Sequence, residues 1–574
     1  MINYRIKAYE GASVTVHETA EEVTLLEVNI RFTPKQSPRP ITVEWELPCV
    51  ELVSHLNIDG WSEVSKSLGA NWRTRTTKSH LCTGAPVHCL LGADQKNRLT
   101  IAAADAATPL EIKTGIIEEG AMLLCRVVFF TQPLNPLEEY RTLLRIDRRP
   151  LPFYQTFARV DAWWQEQGLR CAPVPPAAKQ PMYSTWYSLH QKYNTNQILE
   201  QCRLAKKMGM ETVIIDDGWQ TEDTHRGYAY CGDWIPAPGK IPDMAALSDQ
   251  IHQLGMKVML WYSVPYVGKN TKAYQEFQGC FLSGFDQNDW GVLDPRFPQV
   301  RRYLSDLYAR ALKDYRLDGL KLDFMDSFRY HEGAGIGGER DTDSVEDGVE
   351  RLISHISRQL RTIRPDVMIE FRQTYIGPKI RRYGNMLRAA DCPADPFVNR
   401  YRTLLLRLTS GTCAVHSDMI TWHPSEPVES AARQLLNVLF SVPQISVLLD
   451  QLPEEHMKML QFYLDFWKRY QGVFLEGELI PHAPAANFTK ASAQSNGVAV
   501  TVLYEEPTVS IETAHATAVV INAMGTEEVW LRVKGDRPRP VVLYDCMGNC
   551  AGEELLPCGI SALRLPLSGM AVIS

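Results

Sequence analysis

From Met182 to Leu449 the chain alternates short apolar runs with amphipathic helices, and this alternation restricts the fold more than any other feature of its 574 residues. Asn194 and Thr195 cap a helix whose apolar residues Ile198, Leu199, Cys202 and Ala205 share one face; Gly209 ends it and Val213 to Ile215 follows as a strand. A helix carrying Leu247, Ile251 and Leu254 stops at Gly255 and leads into the apolar run Lys257 to Tyr262. The rhythm continues with a helix near 297 to 315, a strand ending at Asp323, a helix near 344 to 363 and the strand Val367 to Arg372. Met182 to Trp186 serves as the first strand, and Asn385 to Asp391, Thr412 to His416 and Gln444 to Leu449 as the last three. Eight strand-then-helix units over about 290 residues have the length and order of a (β/α)8 TIM barrel.

The flanks follow a different grammar. Residues 1–150 alternate with period two, as in Val23-Thr-Leu-Leu-Glu-Val-Asn-Ile-Arg31 and Ile41-Thr-Val-Glu-Trp-Glu-Leu47, which predicts an antiparallel β-sandwich. Residues 151–181 are expected to be a linker, closed by the proline-rich stretch Ala172 to Pro181, where successive prolines suppress helix and ladder hydrogen bonds. The barrel occupies 182–472, and 473–574 returns to period two (Val498-Ala-Val-Thr-Val-Leu-Tyr504), predicting a small C-terminal β-sandwich. The fold class is therefore α/β, a central barrel between two β domains.

With 60 basic and 67 acidic residues, net charge −7 and no basic stripe, nucleic acid is an unsuitable partner. No run reaches 18 apolar residues and the start lacks the apolar core of a signal peptide, so no membrane association is expected and the location is read as cytoplasmic. The 13 cysteines are an odd number without CxxC spacing, and are read as buried thiols rather than disulfides or metal ligands.

In a TIM barrel chemistry happens at the C-terminal ends of the strands, and acids stand at three of them: Asp216 and Asp217, Asp323, and Asp391 with Asp395. Glycosidic cleavage needs two carboxyls flanking an oxocarbenium-like centre. Asp323 and Asp391 are the candidate pair. Lys321 lies two residues before Asp323 on the same strand, so both side chains point one way and the ammonium favours the ionised carboxylate. The competing reading of Lys321-Leu-Asp323 is a salt bridge closing the barrel mouth; Asp216-Asp217-Gly218 also reads as a turn, and Trp234 as core.

The ordered motifs Ile215-Asp-Asp-Gly-Trp219, Gly232-Asp-Trp234 with Lys240-Ile-Pro-Asp243, Gly255-Met-Lys-Val-Met-Leu-Trp261, Leu293-Asp-Pro295 and Lys321-Leu-Asp323 resemble the family 36 glycoside hydrolases, the α-galactosidase group of clan D. The resemblance is strong from about 182 to 450 and rests on arrangement alone for the flanking domains. It implies a retaining mechanism without metal or other cofactor, Asp323 as nucleophile and Asp391 as acid/base. It also implies that Asp216 and Asp217 accept hydrogen bonds from the O4 and O6 hydroxyls of a sugar, that Trp234 walls the pocket, and that Lys321 and Arg388 bind hydroxyls on the reacting side. Arg388 is alternatively a partner that holds Asp391. Trp186 and Trp261 complete the candidate sugar-binding set. The family pattern makes the first acid after strand six catalytic, which selects Asp391; Asp395, before Pro396, reads as a helix start or structural ion pair, and Asp391 needs a setting that raises its pKa.

The chain departs from the pattern at strand five, where Glu370-Phe-Arg372-Gln373-Thr-Tyr375 replaces a glycine-rich loop, making Arg372 and Gln373 candidate substrate contacts and leaving the C2 preference open. The run Gly333 to Gly338 reads as a rim loop, and His416 either as pocket lining or as a satisfied structural histidine. The expected activity is exo-α-galactosidase on short oligosaccharides or glycoconjugates. The alternatives are an α-N-acetylgalactosaminidase, a transglycosylase of the raffinose-synthase type, or a non-catalytic sugar-binding protein. A small carbohydrate and, in a homo-oligomer, a second copy of the chain are the candidate partners, although the N-terminal region, about half the length usual for such enzymes, argues against an oligomer built through that domain.

Overall fold

The computed structural model describes residues 2–20, 22–58, 66–285, 288–331 and 339–574. Among the described residues, eleven strands between Tyr4 and Asp147 form antiparallel sheets of five and six strands. Their alternation is what buries one face of each. Along Val23–Gln36, Leu26, Val28, Ile30 and Phe32 are buried while Glu27 and Arg31 between them are exposed. The buried set packs against Ile41, Val43, Trp45, Val127 and Phe129.

The stretch expected as a linker is largely structured. Phe153–Glu166 is a helix that buries Phe153, Phe157, Val160 and Trp164 in the same core as the barrel helices, and the Trp164 indole donates to the Ala103 carbonyl at 2.8 Å. Its apolar stripe at i, i+4, i+7 and i+11 carries the helix, and the prolines that signal a linker lie outside it. The first β region is thereby packed onto the barrel.

The barrel strands are β1 (Met182–Ser184), β2 (Thr212–Ile215), β3 (Lys257–Ser263), β4 (Gly319–Asp323), β5 (Met368–Arg372), β6 (Met386–Arg388), β7 (Ala414–His416) and β8 (Gln444–Ile445). β1 to β7 pair in parallel in chain order, and β8 pairs in parallel with β1. Parallel bridges His416↔Val442 and Ile420↔Ile445 link β7 and its following loop to the β8 segment, which closes the ring. Several strands are shorter than expected. Trp186 is not on β1 but opens the short helix Trp186–Leu189, and Asp391 lies on the loop beyond β6.

The helices fall where their stripes place them. Asn194 and Gln197 form a reciprocal capping box on Thr195–Lys207, whose Ile198, Leu199, Cys202 and Ala205 are buried. Pro298–Asp314 and Val345–Ile363 cover the outside of the barrel after β3 and β4. From Glu478 a seven-stranded and a three-stranded sheet share a core containing Val520, Leu531, Leu543 and Ile573. The helix Gln471–Glu476 runs across the expected boundary at 473. The thirteen cysteines form no disulfide.

Candidate active site

Side chains along a strand alternate between barrel lumen and helix layer, so each strand delivers every second residue inward. The lowest lumen layer is apolar: Met182, Ile214, Met259, Met368, Met386 and Ala414 pack together. Gly319 leaves room there, since a Cβ at that position would lie 2.4 Å from the Met368 carbonyl oxygen. One pleat higher the same strands present Ser184, Asp216, Trp261, Lys321, Glu370, Arg388 and His416, joined by Gln444 of β8. A polar upper lumen above a methionine floor is a site rather than a core.

Asp323 ends β4 at the mouth and is 6% exposed. Its Oδ1 receives the Phe324 amide at 2.8 Å and pairs with Arg372 Nε at 2.6 Å; its Oδ2 accepts the Trp261 indole N–H at 3.0 Å. Burial pushes this carboxyl up, but Arg372, then Lys321 and Arg388, and the indole bond outweigh it and hold it at about 2. Asp323 is therefore an ionised carboxylate across the neutral range. The dominant cation is Arg372 rather than Lys321, whose ammonium donates instead to Asp216 Oδ2 at 2.7 Å. Arg372 also lies 3.7 Å from Asp326 and 4.9 Å over the Phe324 ring.

Asp391 is reached from Asp323 through two arginines that are register partners, Arg372 on β5 and Arg388 on β6. Arg388 donates to Asp391 Oδ1 at 2.8 Å, and the Asp391 side chain is 45% exposed, far more open than Asp323. Partial burial raises the Asp391 pKa, but Arg388 and Arg372 more than offset this and hold it below the usual carboxylate range. The raising environment expected for an acid is thus not a property of the free site. Arg388 is 1% exposed and gives its donors to Asp391, Asp418 and the Ala389 carbonyl, so it holds the Asp391 loop rather than facing open pocket.

On the far side Asp216 and Asp217 are each 2% exposed. Asp217 accepts Gln191 Nε2 at 2.7 Å and Gln220 Nε2 at 2.8 Å, and burial pushes its carboxyl up to about 6. Trp234 is buried at 3%, its ring centre 5.7 Å from that of Trp219, 5.9 Å from Trp261 and 4.9 Å from Tyr262. Trp261 acts directly on Asp323. Trp186 is half-buried and meets His190 edge to face at 4.6 Å.

The candidate substrate contact Gln373 is corrected, His416 takes the second of its two readings, and Asp395 stands as the helix start it was read to be. Gln373 has no exposed surface; its Oε1 accepts the Ala390 N–H at 3.0 Å, which braces the Asp391 loop from strand five. His416 is a satisfied structural group, its Nε2 donating to the Ala178 carbonyl at 2.8 Å and its other nitrogen facing Gln444 at 3.2 Å. Asp395 caps the helix Pro396–Thr409 by accepting Val398 N at 3.0 Å, as its position before proline suggested. The Gly333 to Gly338 run lies outside the described residues. Gln191, Gln220, Asp326 and Asp418 were not singled out from sequence; all but Gln191 lie one to four residues beyond a strand end or its Asp-Asp turn, a positional signal that could have found them. Among the described residues no group of three or more His, Cys, Asp or Glu side chains is placed to hold a metal ion, and no helix is long and apolar enough to cross a membrane.

A barrel whose mouth gathers an ionised carboxylate, a second carboxyl on an arginine and a wall of buried indoles has the architecture of the TIM-barrel glycoside hydrolases. Residues 177–370 match the Melibiase family. The chain is similar to α-galactosidase AgaA of Geobacillus stearothermophilus, 30% identical over 98 residues, covering 17% of this chain and 13% of that protein. It is also similar to α-galactosidase Mel36A of Lactobacillus acidophilus, 26% identical over 150 residues, 25% of this chain and 20% of that one. These matches therefore span under a quarter of each relative's length. The fold agreement is wider. The GH36 α-galactosidase AgaA solved with stachyose superposes with a TM-score of 0.66 at 14% identity, covering 98% of this chain and 81% of that one. The α-galactosidase of Lactobacillus brevis gives 0.65 at 14% identity, covering 100% and 85%. The resemblance read from the barrel motifs is borne out: residues 177–370 carry the melibiase sequence pattern, and 98% of the chain superposes on the fold of a GH36 α-galactosidase.

Proposed function

We propose that this protein is a retaining exo-α-galactosidase acting on terminal α-linked galactose of short oligosaccharides or glycoconjugates. The observation that carries the reading is Asp323: a buried carboxylate held ionised by Arg372, with one oxygen, Oδ2, engaged by a single neutral donor. Oδ2 is the free hand of the nucleophile. Its attack on the anomeric carbon forms a carbon–oxygen ester bond as the glycosidic carbon–oxygen bond breaks, and Asp391 gives its proton to the departing oxygen. Water then enters from the same face, loses a proton to Asp391 and regenerates the Asp323 carboxylate. A bound sugar covers the half-open Asp391 carboxyl, and that loss of solvent raises its pKa toward the value an acid requires. Asp216 and Asp217, buried and each oxygen met by a single donor, suit the O4 and O6 hydroxyls of a galactoside, whose axial O4 distinguishes it from its C4 epimer. The small-carbohydrate ligands of the solved GH36 neighbours, stachyose and raffinose, are compatible with this substrate class.

The test compares hydrolysis of an aryl α-galactoside with an aryl α-N-acetylgalactosaminide by wild type and Asp323→Ala. Turnover of the galactoside that vanishes in the variant is the expected result. Preference for the N-acetyl sugar would move the assignment to an α-N-acetylgalactosaminidase, and galactosyl transfer to added sugar in place of hydrolysis would make it a transglycosylase.

A further inference from the structure

Asp418, two residues beyond β7, is among the buried carboxyls that the catalytic scheme leaves without a role. It has no exposed surface, and its carboxylate collects donors from three separate elements. Arg388 of β6 pairs with Oδ1; the Cys392 backbone N–H, on the loop that carries Asp391, donates to Oδ2 at 2.6 Å; the Tyr187 hydroxyl donates to the same oxygen at 2.9 Å. Asn399 fixes the Asp418 backbone from the helix Pro396–Thr409, accepting its N–H at 3.0 Å and donating to its carbonyl at 3.1 Å.

Arg388 is consequently shared, one terminal nitrogen on Asp391 and the other on Asp418. This sharing bears on acid catalysis. A general acid must be neutral as the leaving oxygen departs, and a guanidinium whose only counter-charge was Asp391 would resist that protonation. A second carboxylate on the same guanidinium balances its charge when Asp391 is neutral. The bond to Cys392, the residue next to Asp391, fixes the direction in which the acid points. The other charged and titratable groups facing this cluster are Arg372 and Glu370 of β5, the latter 3.8 Å from Arg388, Lys321 and Asp323 of β4, His416 of β7, the Cys392 thiol, and Arg402, which donates to the Asp391 carbonyl at 2.9 Å. None of them accepts the Cys392 N–H.

We propose that Asp418 is the positioning residue of the acid/base Asp391, holding its loop through Cys392 and supplying the counter-charge to Arg388 while Asp391 carries its proton. The proposal rests on the glycosidase reading above. Its burial, which lifts the Asp418 carboxyl to about 6 against the pull of Arg388, agrees with a group that is sensitive to the charge on Asp391.

The experiment separates acid assistance from structure. Asp418→Asn keeps the shape and removes the charge. It is assayed as kcat/KM, which reports the glycosylation half-reaction, on methyl α-galactoside, whose leaving group needs a proton, and on 2,4-dinitrophenyl α-galactoside, whose leaving group does not. The expected loss is on the order of 10- to 100-fold greater on the methyl galactoside, a part of the ~10²–10⁴ that general acids supply. Asp391→Asn marks the upper limit of that selectivity. Equal losses on both substrates, or no loss on either, overturn the proposal. A wild-type protein inert on both overturns the glycosidase reading and this inference with it, an outcome distinct from unselective loss. If Asp418→Asn fails to fold, Tyr187→Phe removes one hydroxyl donor to the same oxygen, and a smaller methyl-selective loss is expected; its absence overturns the proposal equally.

Discussion

Replacing Arg372 by methionine tests the electrostatic core of the site without requiring any substrate. The side chain is buried, and its Nε lies 2.6 Å from Asp323 Oδ1. Asp323 stands at about 2 in place of 3.8 although burial raises it. That net shift of nearly two units corresponds to about 2.5 kcal/mol in favour of the ionised form. The attraction from Arg372, Lys321 and Arg388 must exceed this figure by whatever burial subtracts. Removing Arg372, the first of the three, strands a buried anion, and about 3–5 kcal/mol of stability at pH 7 should be lost. Urea unfolding of wild type, Arg372→Met, Asp323→Asn and the double variant closes a cycle whose coupling energy should be about 2 kcal/mol or more. The deficit of Arg372→Met also has a pH signature. In wild type the folded pKa lies below the unfolded one, so the stabilisation is present above about pH 4 and is lost as pH falls through about 2. In the variant Asp323 accepts a proton at higher pH, so the gap between the two proteins should narrow from about pH 5 downward. A loss under about 1 kcal/mol at pH 7, or a coupling within about 0.5 kcal/mol of zero, would refute the claim that Arg372 holds Asp323 ionised.

Two further outcomes follow from the same structure. Gly319→Ala places a Cβ 2.4 Å from the Met368 carbonyl oxygen and 2.7 Å from the Met368 Cβ, contacts that backbone cannot relieve, so the urea midpoint should fall by an amount equivalent to about 1–3 kcal/mol; an unchanged midpoint would show that the methionine floor can move. Asp217 has its folded pKa raised to about 6, so the folded state binds its proton more tightly than the unfolded chain and stability should rise as pH falls from about 7 toward 4. In Asp217→Asn that rise should be smaller by up to about 2–3 kcal/mol, and equal pH profiles for the two proteins would count against a buried, strained carboxylate.

The barrel was legible because its information is local. Each crossover helix carries its own stripe and cap, as Asn194 with Ile198 to Ala205 shows, and each strand is a short apolar run ending near an acid. Asp323 and Asp391 could be named for the same reason: strand ends in a parallel barrel converge whatever the loops do. The helix Phe153–Glu166 was hidden by its proline neighbours, a case of punctuation outweighing period. Strand ends were overrun at Trp186 and Asp391, since a β-rich run does not state where pairing stops.

What no local pattern contains is the pairing of charges across the barrel mouth. Lys321 stood beside Asp323 in sequence and went to Asp216; Arg372, assigned to substrate, went to Asp323; Arg388 divided itself between Asp391 and Asp418. Long side chains choose partners by distance in a low-dielectric lumen, and those distances depend on the stagger of strands far apart in the chain. The sequence by itself determined the barrel, its flanking sheets and the carboxyls at its mouth, because period and strand-end position are properties of neighbouring residues. Only the tertiary structure decided which carboxyl is held ionised and which cation holds it, because those are properties of residues brought together by closure of the ring.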